Sequence, residues 1–196
     1  MRLALFQPDI PQNLGAAIRL TACLGAELDV IEPCAFPLSD RAIRRAAMDY
    51  GSAARVVRHD GWVDFEAVMR SDGRRILLFT TRAAEPFHRF AYRPDDVLLF
   101  GRESAGVPDA VHVAADARLI IPIQPETRSL NVITAAAIAL GEGLRQTGAG
   151  RSRWIARAIE LGYTRSISRT TANGQDNPIP IQSIAGRAPA EGCRLP

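Results

Sequence analysis

Apolar residues fall into short unbroken runs separated by amphipathic stretches, the alternation of an α/β protein with a largely parallel sheet. A strand buried on both faces reads as such a run. Strands are therefore predicted at residues 3–7, 28–32, 54–58, 75–80, 97–100 and 117–122. After the first, Pro8 and Pro11 impose a loop, because proline neither donates to a ladder nor continues a helix. Asn13 then stands where an N-cap belongs, Leu14, Ala17, Ile18 and Thr21 follow at helical spacing, and Gly25 marks the stop. Further helices are expected to start near Ser39, Val63 and Leu130. The last is the clearest, since Ile133, Ala136, Ala137, Leu140 and Leu144 form one stripe in an alanine-rich segment.

The pattern changes after Gly148. Residues 149–153 read as a linker, one short helix is expected to follow, and most of 165–196 has the Ser, Thr, Asn, Gly and Pro content of a disordered tail. The expected organisation is one domain at 1–148 and an extension at 149–196. Splitting the charge the same way sharpens it. Residues 1–149 carry 17 Arg against 18 acidic residues, while 150–196 carry 7 against 3, so the formal charge of +3 resides in the tail. Net charge thus does not mark the domain as a nucleic-acid binder, and any footprint there must be local. Arg41, Arg44 and Arg45, with Arg55 and Arg58 nearby, are the candidate cluster.

Cys23, Cys34 and Cys193 form no C-x-x-C pair and are odd in number, which argues against a disulfide framework or a zinc site and suits a reducing cytoplasm. The N-terminus lacks the apolar h-region of a signal peptide, and no run reaches the 18 apolar residues of a membrane span. A soluble protein is expected.

Three segments carry the candidate chemistry: NLGAAIR (13–19), LFGRESAGVP (99–108) and RSLNVITAAAIALGE (128–142). The first strand is not followed by G-x-G-x-x-G, and no G-K-[ST] occurs, which disfavours Rossmann dinucleotide binding and P-loop chemistry. Instead, Gly101 directly follows an apolar strand and would let a ligand approach the backbone, while Gly106 would allow a tight turn. An ordinary strand-to-helix loop would look the same. In the third segment Ser129 and Asn131 stand at a helix start; Ser129 could be a mere N-cap, and backbone N–H groups there could equally hold a ligand's polar group. Arg19 lies about 140° around its helix from Leu14 by the 3.6-residue period, so it can point away from the core.

In this order and at this separation, the three segments resemble the signature motifs of the SpoU branch of the SPOUT RNA methyltransferases, most closely the small enzymes that methylate a tRNA wobble ribose. The resemblance covers residues 1–148 and gives 149–196 no counterpart. It implies an α/β fold with a mostly parallel sheet, helices on both faces and a C-terminal trefoil knot, a feature that general rules of chain threading disfavour. It implies S-adenosylmethionine as methyl donor, gripped by Phe79, Thr80, Gly101, Ile121 and Ser129. No metal is implied. The expected partners are a tRNA anticodon stem-loop and a second copy of the chain, with no membrane and no other protein.

The reaction so implied is displacement of a sulfonium methyl by the ribose 2′-hydroxyl of the wobble nucleotide. Arg19 takes the place of the family's arginine, with Asn13, Glu103 and Asn131 as the other catalytic candidates. A guanidinium, with a pKa above about 12, is a poor base, so Arg19 is expected to bind the adjacent phosphate and stabilise the developing oxyanion. Glu103 either orients an arginine or is a solvated loop acid; Asn131 holds the loop or the ribose. Arg82 stands after Thr80 and Thr81 where the family often has lysine, which alters the geometry of a phosphate contact. His59, His88 and His112 lie outside the motifs and receive no role. Methylation of another tRNA or ribosomal RNA position, a non-catalytic RNA-binding protein on the same fold, and an unrelated α/β enzyme for a nucleotide-like ligand are the competing readings.

Overall fold

In a computed structural model of the chain, residues 1–38 and 54–148 are described. The helix expected near Ser39, the arginines at 41, 44 and 45, and the whole of 149–196 lie outside them. Seven strands form one sheet: β1 (Arg2–Phe6), β2 (Glu27–Ile31), β3 (Arg55–His59), β4 (Ile76–Phe79), β5 (Glu85–Pro86), β6 (Val97–Phe100) and β7 (Ala117–Ile120), in the order β3-β2-β1-β6-β4-β7-β5. Every pairing in it is parallel.

Alternation along each strand divides the core into two layers. Leu3 and Leu5 of β1, Leu77 and Phe79 of β4, and Leu98 and Phe100 of β6 face α1 (Pro11–Leu24) and α4 (Val132–Thr147), which contribute Leu14, Ala17, Ile18, Ala136, Ala139 and Leu140. Ala4, Phe6, Ile76, Leu78, Val97 and Leu99 face the other way, against Phe65 and Met69 of α2 (Trp62–Ser71) and Val111 of α3 (Asp109–Ala114). Helices thus cover both faces. Among the described residues no helix is long and apolar enough to cross a membrane.

Three local departures from the expected pattern have clear causes. Helix α1 begins earlier than predicted: its N-cap is Ile10, with Pro11 in the first turn, where a missing N–H costs nothing. Asn13 is therefore inside the helix and buried, not its cap. The cap of α4 is Asn131 rather than Ser129, its side-chain oxygen accepting from Ile133 N and Thr134 N. Helix α3 and strand β5 escape the pattern altogether, because six residues give no measurable period and two residues ending in proline give no run. The glycine stop at Gly25 holds, with left-handed backbone at φ 68°, and Gly148 ends α4 in the same way at φ 67°.

Within the sheet, buried Asp29 of β2 joins three strands. Its carboxylate accepts from Arg2 Nε and Nη2 at 2.7 and 2.6 Å and meets His59 Nε2 at 2.8 Å. Burial alone would raise the Asp29 pKa; the hydrogen bonds from His59 and Arg2 outweigh it and hold the carboxyl below its ordinary value. His59, which has no role by motif, is thus a structural partner.

Candidate active site

The C-terminal ends of β6, β4 and β7 open on a cavity of about 440 Å³. This is where an open parallel sheet places its ligands, since the loops leaving the strand ends diverge there. Phe79 and Phe100 stack at the strand ends, ring centroids 4.8 Å apart and planes 13° from parallel. Thr80 and Gly101 follow them directly, Ile121 extends β7, and Ser129 and Asn131 enter from the loop before α4.

Behind Gly101 the chain turns back on itself. Arg102 N donates to Gly106 O and Gly106 N to Arg102 O, each at 2.9 Å, closing a small antiparallel bridge. Gly106 supplies φ 68° for the turn. Gly101 is glycine for a different reason from that expected: a Cβ there would sit 2.6 Å from the Gly106 carbonyl carbon, so what approaches its backbone closely is the turn itself.

The three motifs meet in one chain of hydrogen bonds. Because Asn131 Oδ1 is engaged by the α4 N-terminus, its Nδ2 is left to donate, and it does so to Asn13 Oδ1 at 3.0 Å. Asn13 Nδ2 in turn donates to Glu103 Oε1 at 2.7 Å. Glu103 Oε2 accepts from Asp9 N at 2.9 Å. The orientation of both amides follows from the fixed ends of the chain, a helix terminus that only donates and a carboxylate that accepts. Glu103 thus orients an asparagine, a role not among those raised from the sequence. Asn131 likewise holds a helix end and Asn13.

Of the nine candidates, Asn13, Glu103, Asn131, Phe79, Thr80, Gly101, Ile121 and Ser129 all line this cavity. Arg19 does not. It is exposed on α1, as its angular position predicts. Arg82 pairs with Asp109 at 2.9 Å on the surface, while Arg55 and Arg58, from the candidate basic cluster, pair with Glu27 and Glu32. Two contributors receive no role from the sequence: Asp9, in a loop between prolines, and Arg102, inside the second segment, whose guanidinium donates to Asp9. Among the described residues no group of His, Cys, Asp or Glu is arranged to hold a metal.

The SpoU rRNA Methylase family matches residues 1–141. The chain is 57% identical to the tRNA (cytidine(34)-2′-O)-methyltransferase of Beijerinckia indica subsp. indica over 147 residues, which are 75% of this chain and 92% of that one. It is 40% identical to the protein of the same name from Burkholderia pseudomallei strain 1106a, over 74% of this chain and 95% of the relative. A solved structure described as giving structural insights into 2-OH methylation of C/U34 on tRNA superposes with a TM-score of 0.69 at 36% identity, covering 74% of this chain and 94% of that one. The SpoU methyltransferase AviRb of Streptomyces viridochromogenes, crystallised with AdoMet, superposes with a TM-score of 0.65 at 25% identity, covering 74% of this chain and 60% of its own.

Proposed function

Because this chain belongs to the SpoU rRNA Methylase family, we propose that it methylates the ribose 2′-hydroxyl of the wobble nucleotide, cytidine or uridine at position 34, of tRNA, with S-adenosylmethionine as donor. The observation that carries this is the meeting of three distant motifs around one cavity, joined by the Asn131–Asn13–Glu103 chain. The choice of target rests on identity: the chain is 57% identical to a tRNA (cytidine(34)-2′-O)-methyltransferase over 92% of that relative's length.

The cavity fits a nucleoside-type methyl donor. Its volume of about 440 Å³ suits a ligand of that size. Phe79 and Ile121 offer apolar wall, and Gly101, Thr80 and Ser129 offer backbone and hydroxyl groups without bulk. The donor supplies an electrophilic methyl group, so what the protein contributes is orientation and electrostatics, of which orientation alone can account for about 7–11 kcal/mol of barrier reduction. Asn13, Glu103 and Asn131 act by fixing the wall of the site. Arg19 binds the phosphate beside the target ribose and stabilises negative charge developing on its oxygen.

The same reading includes a C-terminal trefoil knot, in which the loop after β6 and the loop between β7 and α4 cross as they close on the cavity. It includes a homodimer acting on the anticodon stem-loop in the cytoplasm, with residues 1–148 as the methyltransferase unit and 149–196 as an extension. The test is incubation with S-adenosylmethionine and tRNA unmodified at the wobble position, followed by nucleoside mass spectrometry. A 2′-O-methyl mark mapped to position 34, reduced at least a hundredfold by Arg19→Ala while donor binding persists, is the expected result. A mark elsewhere, or none, would overturn the assignment.

A further inference from the structure

Asp9 touches all three members of the Arg102–Glu103–Ser104 turn. Its Oδ1 accepts from Arg102 Nε and Nη2 at 3.0 and 2.8 Å. Its Oδ2 accepts from Ser104 N at 3.0 Å and from the Ser104 hydroxyl. Its own backbone N donates to Glu103 Oε2. The carboxylate is only 14% exposed although it sits in a loop, and its partners fill both oxygens. The hydrogen bonds from Ser104 come first, ahead of those from Arg102, in holding its pKa below the ordinary aspartate value.

The platform beneath it is rigid. Gln7 N donates to Ile31 O and Ala35 N to Pro8 O, tying the β1–α1 loop to β2 and the segment after it, and Pro11 fixes the entry to α1. The turn, by contrast, projects from the end of β6 with Ser104, Ala105 and Gly106 exposed. Its own closure is the bridge between Arg102 and Gly106. Without a strut from outside, nothing in that bridge sets where Glu103 points.

We infer that Asp9 is a positioning residue of the methyl-donor site, acting through Arg102 and Ser104 to place Glu103 against Asn13. The inference rests on the methyltransferase reading above. It gives the loop between the two prolines a definite role, because a charged two-oxygen contact from the rigid side of the cavity holds the turn. The wall formed by Gly101, Arg102 and Glu103 is then set before a ligand arrives. Pre-set walls bind more tightly because less motion is lost on binding.

The experiment is a double-mutant cycle read by calorimetric titration with S-adenosylmethionine on the full chain. Asp9→Asn, which keeps the shape and loses the charge, and Arg102→Ala should each weaken donor binding at least tenfold. The double variant should be no weaker than the worse single one, the signature of one shared interaction. Ser104→Ala, which removes one of the contacts, should fall between wild type and Asp9→Asn. A merely structural role would lower the melting temperature and leave the affinity of the still-folded fraction intact; here affinity falls while near-ultraviolet circular dichroism is unchanged. Affinity within twofold of wild type in Asp9→Asn, or additive losses in the double variant, would overturn the inference. Wild type that binds donor but leaves tRNA unmethylated would defeat the assigned reaction while the cycle still decides the role of Asp9. Wild type that binds no donor would defeat both.

Discussion

Replacing Gly101 with alanine adds one methyl group, and the surroundings fix its effect. The new Cβ would meet the Gly106 carbonyl carbon at 2.6 Å, its Cα at 2.8 Å and its oxygen at 2.9 Å. These are backbone atoms, so no rotamer change relieves the clash. Restoring ordinary contact requires the two arms of the turn to separate by about 0.8 Å, enough to break the paired bonds between Arg102 and Gly106. Overpacking of this kind costs about 1–3 kcal/mol, and the two hydrogen bonds add about 0.5–1.5 kcal/mol each. Together these come to about 2–6 kcal/mol, and at about 2–4 °C per kcal/mol for a chain of this size Gly101→Ala should melt roughly 4–24 °C below wild type. Because the displaced turn carries Glu103, and misplacement by about 1 Å can cost about a hundredfold in rate, methylation should fall tenfold or more at temperatures where the variant is fully folded. Gly106→Ala is the internal comparison. Its Cβ meets nothing within 4 Å, so only the strain of φ 68° applies, about 1–2 kcal/mol. Differential scanning calorimetry and initial methylation rates, measured on both variants, test the reasoning. It fails if Gly101→Ala melts with wild type, or if Gly106→Ala is the more damaging of the two.

Two further outcomes follow from polar contacts. Asn131→Asp retains an oxygen to cap α4 but sets a second one against Asn13 Oδ1, where Asn131 Nδ2 now donates at 3.0 Å; Asn131→Ala loses the cap, worth about 1 kcal/mol, without adding repulsion. The aspartate variant should therefore be the more stable and the less active of the pair, and matching orders in melting and methylation assays would contradict the directional chain. Asp29→Asn breaks a buried ion pair, with an expected cost of about 3 kcal/mol at neutral pH. Since the folded-state pKa of Asp29 is depressed, its contribution is present above the unfolded value of about 3.9 and is lost as pH falls through the folded pKa. The melting-temperature gap between variant and wild type should accordingly close in acid, and a gap constant from pH 7 to pH 2 would refute the linkage.

Much of the fold is legible in the sequence, because buried parallel strands announce themselves as unbroken apolar runs: the run at 97–100 bounds β6 to the residue, and the other long strands fall within two residues of theirs. What pattern does not supply is contact across long separations. Asn13 looks like a helix cap from its neighbours alone. Its true partners, Glu103 and Asn131, stand 90 and 118 residues away, and only the fold brings an early helix beside a late one. Asp9 is hidden for the same reason, since an acid between prolines has the local signature of a turn. Of the cavity residues, Gly101 is marked by the pattern itself, as a glycine directly after an apolar run, whereas Thr80 and Ile121 fall inside the predicted strands and are indicated by resemblance alone. Arg19 stands apart from them on its helix, and only resemblance suggests what it does there.

The strand order has a consequence for the way the molecule is made. β6 lies between β1 and β4, yet it is residues 97–100 of the chain. Until those residues leave the ribosome, β1–β2–β3 and β4 have no strand to join them, and β1 and β4 each present an open hydrogen-bonding edge to whatever is nearby. One four-residue segment then satisfies both edges at once. Synthesis of the first half therefore yields one incomplete three-stranded sheet and a lone strand, β4, with sticky borders, the kind of species that invites association between nascent chains. The interval from residue 79 until β6 and then β7, at residues 117–120, have been made is the period for which the growing polypeptide most needs protection.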